Sequence, residues 1–130
     1  MAHPNRTGDP VSLALAHVTF DCRAPQRVAE FWASALGREP DEGASVFFVS
    51  LPDSSGGSPT MFFIAVPEAK IGKNRVHLDL EAADRAAEVA RLVSLGAVPV
   101  GDHDEWGHRW TVLTDVEGNE FCVGEPAPAR

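Results

Sequence analysis

Long apolar runs are missing from this sequence, and so is a surplus of basic charge. No segment approaches the ~20 apolar residues of a membrane-spanning helix. No N-terminal signal pattern precedes the first periodic segment, so the expected compartment is the cytoplasm. Lysine and arginine number 11 against 19 acidic residues, a formal net charge of −8. Such an acidic surface repels phosphate backbones and anionic lipid, so neither nucleic acid nor a membrane is the expected partner. Cysteine is scarce: Cys22 and Cys122 match no metal-knuckle or redox spacing. They are expected as reduced, buried thiols that pack like small apolar residues. There is no serine in a nucleophile elbow, and no Cys/His pair with neighbouring sequence support. Gly56-Gly57 lacks the strand-to-helix context of a phosphate loop and reads as a turn.

What remains is an ordinary domain. The 130 residues are 44% hydrophobic and 23% charged, enough for one real core. Residues 1–10 carry Pro, Asn, Gly and Asp without periodicity and are expected as a flexible tail. Residues 11–125 read as a single domain in two halves, about 11–70 and 71–125.

The organising stretch is Arg75-Val76-His77-Leu78-Asp79-Leu80. Its alternation predicts a half-buried strand with His77 and Asp79 on the polar face. A helix over Ala83–Leu95 follows, stopped by Gly96. About 60 residues earlier the same order occurs. Val11–Phe20 is a strand with His17 on its polar face, and Pro25–Leu36 is a helix ended by Gly37. Val28, Phe31, Trp32 and Leu36 give that helix an apolar stripe. Ser45–Leu51 and Thr60–Val66 read as strands, separated by a Ser/Gly loop. In the second half Ala97–Val100 is an edge strand carrying Pro99, and Gly101–Gly107 is a polar loop. Arg109–Thr114 and Glu120–Val123 are strands around an Asp-Val-Glu-Gly-Asn turn.

The fold class is therefore α+β, two βαβββ modules forming a cupped mixed sheet with helices on its outer face. Paired about a pseudo-twofold axis, the modules would bring His17 and His77 together inside the cup.

The chain resembles the vicinal oxygen chelate superfamily, the glyoxalase, bleomycin resistance and extradiol dioxygenase group, in its small glyoxalase-like branch. The resemblance rests on His17–Cys22, Phe31-Trp32, Leu36-Gly37, Lys73–Leu80 and Arg109–Leu113. It continues through Asp115 and Glu117-Gly118-Asn119-Glu120-Phe121-Cys122-Val123. It implies that His17, His77 and Glu120 hold a divalent metal (Zn, Fe, Ni or Mn) whose open positions take substrate oxygens. A fourth family position falls in Thr60–Val66, where facing selects Phe62 or Ile64. Neither binds a metal, a departure from the glutamate or glutamine of glyoxalases. The resemblance also implies a homodimer.

Around this set, Asp79 reads as a partner that orients an imidazole or as a surface residue. Phe48, Phe62 and Ile64 are candidates for a greasy cavity wall. Trp106 and His108, with Trp110, are candidates for its aromatic roof. Each has a plainer reading: a strand histidine lines or packs, Glu120 caps a turn or pairs with an arginine, and Trp110 is core. His103 reads as solvated. Lys73 and Arg75 read as a solvated strand entry or a lure for an acidic ligand. Two functions follow. One is a metal-dependent lyase, isomerase or dioxygenase acting on vicinal oxygens. The other is a metal-free protein that sequesters a small molecule, in the bleomycin-resistance mode.

Overall fold

The computed structural model describes Gly8 and residues 11–126, so the expected tail over 1–10 lies outside the described residues apart from Gly8. Helix α1 is Pro25–Leu36, with the bounds its pattern predicts. Val28, Ala29, Phe31, Trp32 and Ala35 form its buried stripe. Gly37 ends it at φ 68°, a left-handed turn in which Arg38 N–H donates to the Ala33 carbonyl. Strands β1 (His17–Cys22), β2 (Phe48–Leu51) and β3 (Thr60–Ala65) form a sheet of order β1-β3-β2. β1 runs parallel to β3, and β2 antiparallel.

The second half contributes β4 (Leu78–Glu81), α2 (Arg85–Ser94), β5 (Val98–Glu105), β6 (His108–Thr114) and β7 (Glu120–Gly124). Its sheet has the order β4-β7-β6-β5, with β4 and β7 parallel and the other pairs antiparallel. Asp84 caps α2 by accepting the Ala87 N–H. Gly96 stands just beyond it at φ 115°, where a Cβ would meet Val116 Cγ1 at 3.0 Å.

The α+β class and the duplicated plan hold, with one difference in count. The first half is βαββ, three strands rather than four. Residues 38–47 join α1 to β2 through turns, because Pro40 has no N–H to give a ladder and Gly43 turns left-handed at φ 90°. β1 begins at His17 rather than Val11, and Val11, Leu13 and Leu15 stay exposed. β4 begins at Leu78, leaving Val76 81% exposed. β5 reaches Glu105, so the expected polar loop is mostly an edge strand, bulged between Pro99 and Gly101. Cross-strand stacking holds it there: His103 faces Trp110 with ring centroids 5.1 Å apart.

One core serves both halves. Trp32 lies 5.5 Å from Phe20 of the first sheet and 4.9 Å from Phe121 of the second, ring centre to ring centre. Cys22, Phe63, Leu51, Leu113 and Val123 fill the same cluster. Among the described residues no helix is long and apolar enough to cross a membrane.

Candidate functional site

Strand alternation sends His17, Thr19 and Asp21 to the face of β1 opposite the α1 core, and all three are exposed. Register then shows what surrounds each histidine. On the first sheet His17 pairs with Thr60 and Thr19 with Phe62. On the second, Leu78 pairs with Phe121 and Asp79 with Cys122. One step back along that register sets His77 beside Glu120. The counterparts are thus His17 and His77, Thr60 and Glu120, Thr19 and Asp79, Phe62 and Cys122.

The two surroundings differ chemically. The His17 ring stacks on Phe62, centroids 4.0 Å apart, and Phe48 meets Phe62 edge-on at 4.9 Å. This is an aromatic strip. His77 Nε2 lies 3.3 Å from Asp79 Oδ1. Donor atoms of His77, Asp79 and Cys122 all fall within 4.8 Å of one another.

A cavity of about 620 Å³ lies between the sheets. Val18, Thr19 and Asp21 of β1 wall one side; His77, Leu78, Glu120 and Phe121 wall the other, and Lys70 and Asn74 come from the connector. A second cavity, about 350 Å³, opens over the face of the second sheet between Lys73, His77, Asp79, Trp110, Glu120 and Cys122. Glu120 is firmly held. Its Oε1 accepts the Asn74 N–H at 3.0 Å and lies 3.3 Å from Lys70 Nζ. The Asn74 N–H, with Lys70 beside it, keeps this carboxyl below the usual range. Burial raises the Cys122 thiol, and the Asp79 charge raises it further. Burial, followed by Glu117 and Asp115, pushes Cys22 up to about 12. Both cysteines are free and buried, as expected of them.

The structure brings together some of the anticipated site residues and separates others. His77 and Glu120 line both cavities. His17 belongs to the other sheet, and within one chain it joins no donor set with them. Among the described residues the close set is His77, Asp79 and Cys122. The metal implied by the resemblance therefore does not fit His17, His77 and Glu120 of a single chain. Phe48, Phe62 and Ile64 share the His17 side of their sheet, as alternation requires. Trp106 and His108 line a third hollow, about 320 Å³, together with Asp79 and Trp110. Trp106 stacks 6.2 Å from Trp110 and is otherwise 83% exposed. His103 is in β5 rather than a charged loop.

Three residues were overlooked at sequence level. Cys122 reads as core from its sequence, yet it sits two residues beyond Glu120 in β7 and so shares its face. Asp115 and Glu117 hold the halves together: Trp32 Nε1 donates to Asp115 Oδ2 at 3.0 Å. The N–H groups of Arg23 and Ala24 donate to the Glu117 carboxylate at 2.9 and 2.7 Å.

Comparison with known proteins agrees with this architecture. A family described as "Glyoxalase-like domain" matches residues 17–124. A glyoxalase/bleomycin resistance protein/dioxygenase family enzyme from Burkholderia phytofirmans PsJN is similar at TM-score 0.70 and 20% identity, covering 85% of this chain and 96% of that one. A mutant of the fosfomycin resistance protein FosX from Listeria monocytogenes, complexed with Mn(II) and 1S,2S-dihydroxypropylphosphonic acid, superposes at 0.71 with 12% identity, over 88% and 90% of the two chains. Lactoylglutathione lyase from Agrobacterium tumefaciens does so at 0.64 and 17%, over 90% and 96%. No curated protein sequence matches the chain. The family match spans both repeats, and the fold matches these structures over most of the chain: the chain belongs to the glyoxalase-like domain family of the vicinal oxygen chelate superfamily.

Proposed function

We propose that this chain binds a compact, partly apolar small molecule in the 620 Å³ cavity between its sheets, as a sequestering member of the family. The observation that carries this reading is the cavity itself. Its volume falls in the range of small-molecule sites, and its walls mix Val18, Phe20, Leu78 and Phe121 with many polar and charged side chains. Arg23, Lys70, Asn74 and His77 supply donors among them, and Glu68 and Glu120 supply carboxylates. The aromatic strip of His17, Phe62 and Phe48 lies outside this cavity. The test is a thermal-shift screen of aromatic and diol-bearing compounds on metal-stripped protein. A hit raises the melting temperature, and Ala69→Trp, which places an indole in the cavity wall, removes the shift while leaving the unliganded melting temperature unchanged. A hit that survives Ala69→Trp binds elsewhere and defeats this reading.

A second reading is favoured by a separate observation: His77 and Glu120 line the same two cavities. In it the protein is a homodimeric, metal-dependent enzyme acting on vicinal oxygens, with His17 contributed by the second copy. A bound divalent ion would supply Lewis acidity there. Metal-stimulated consumption of fosfomycin or lactoylglutathione, lost in His17→Ala, would establish it over the first reading.

A further inference from the structure

We infer that this chain builds a divalent-metal site wholly on its second sheet, from the His77 imidazole, the Asp79 carboxylate and the Cys122 thiolate. Three features of the structure lead to this set. The donor atoms of all three lie within 4.8 Å of one another, so small side-chain rotations bring them onto one ion. They are placed by backbone rather than by chance rotamers. Asp79 and Cys122 are direct partners in the β4–β7 register, and His77 precedes Asp79 by two residues, hence shares its face.

The internal repeat supplies a control built into the same molecule. Around His17 the equivalent positions are Thr19, Thr60 and Phe62; around His77 they are Asp79, Glu120 and Cys122. Every position near the first histidine that offers no strong ligand carries one near the second. A neutral imidazole with one carboxylate and one thiolate totals two negative charges, matched to a divalent ion. The proton displaced from the thiol goes to solvent.

The donor chemistry also selects the ion. A thiolate with imidazole and carboxylate suits zinc, and cobalt as its spectroscopic stand-in, better than manganese or magnesium. Three protein ligands leave positions open toward the 350 Å³ cavity, where Glu120 and Lys73 stand ready for a bound water or an anionic ligand. Cys122 is 7% exposed, so the ion's thiolate side is sheltered while Asp79 and His77 face the opening. The site goes beyond the proposed cavity ligand and does not rest on it.

The experiment titrates Co(II) into the untagged, metal-stripped full chain without any organic ligand. One Co(II) per chain, with a near-ultraviolet thiolate-to-cobalt charge-transfer band that Zn(II) displaces, is the expected result. Cys122→Ser abolishes the band. Cys122→Ser and the surface substitution Asp79→Asn each weaken Zn(II) binding at least ~10-fold. His17→Ala leaves the band and the stoichiometry intact. Circular dichroism verifies the fold of each variant, and Asp79→Asn carries the test if Cys122→Ser fails to fold. The inference is overturned if no ion binds, if the wild type shows no band, if the band survives in Cys122→Ser, or if binding disappears in His17→Ala. None of these outcomes bears on the thermal-shift result, so either proposal can fail alone.

Discussion

Asp115 is 2% exposed and takes N–H groups from Trp32, Glu117 and Asn119. Asp115→Ala would leave these donors unpaired, two at a turn and one on a fully buried indole. The expected loss is about 3 kcal/mol, read as a lowered urea midpoint with Trp32 fluorescence as the probe. Asp53 gives a prediction of a different kind. Its carboxylate accepts from the Ser55 hydroxyl, the Ser55 N–H and the Ser58 N–H, which lower its pKa from 3.8. A depressed carboxyl stabilises the fold above its unfolded value, and this contribution fades as pH falls through the folded one. An NMR titration should place Asp53 below 3.8, and Ser55→Ala should move it back toward that value.

Helix α1 carries no acidic residue in its first turn, no basic residue in its last, and no side-chain cap of its own. Both ends are completed from the second half. Glu117 takes the N–H groups of Arg23 and Ala24 ahead of the first turn. Arg91 of α2 donates to the carbonyls of Ser34 and Ala35 in the last turn. Glu117→Ala should cost about 1 kcal/mol and Arg91→Gln about 0.5 kcal/mol, both measured by chemical denaturation. The helix itself was legible in the sequence to the residue, because Pro25, the apolar stripe and Gly37 are local signals. Its caps were not. Glu117 and the Arg23 N–H it accepts are 94 residues apart, and nothing local marks such a partner. The same limit applies to the strands. Alternation identified their faces correctly, placing His17 with Phe62 and His77 with Asp79. It extended β1 and β4 backwards because periodicity persists where no neighbouring strand pairs. β5 was cut short for the converse reason: Asp102–Glu105 looks like a loop until His103 and Thr111 find partners across the hairpin.

At the level of the whole molecule the duplication proved readable, while among the described residues the close donor group is His77, Asp79 and Cys122. Two halves with matching registers follow from matching patterns, whereas β1 and β4 end up in separate sheets through the packing of Trp32 against both Phe20 and Phe121. The halves also diverged in chemistry while keeping their geometry, aromatic around His17 and donor-rich around His77. Position by position, that divergence is written in Thr60 against Glu120 and Phe62 against Cys122, but only a register makes the comparison possible.

The eight-residue β5 closes one side of the second sheet, and among the described residues its outer backbone groups have no ladder partner. Asp104 and Glu105 and the irregularity at Pro99/Gly101 sit along that margin. Their consequence is colloidal: like charges keep one molecule's margin from annealing to another's, and the irregular step spoils the flat template that a growing fibril needs. Removing the charges with Asp104→Val and Glu105→Val should therefore turn a well-behaved solution into one that scatters light and binds thioflavin T as concentration rises, with the monomer's melting temperature little altered.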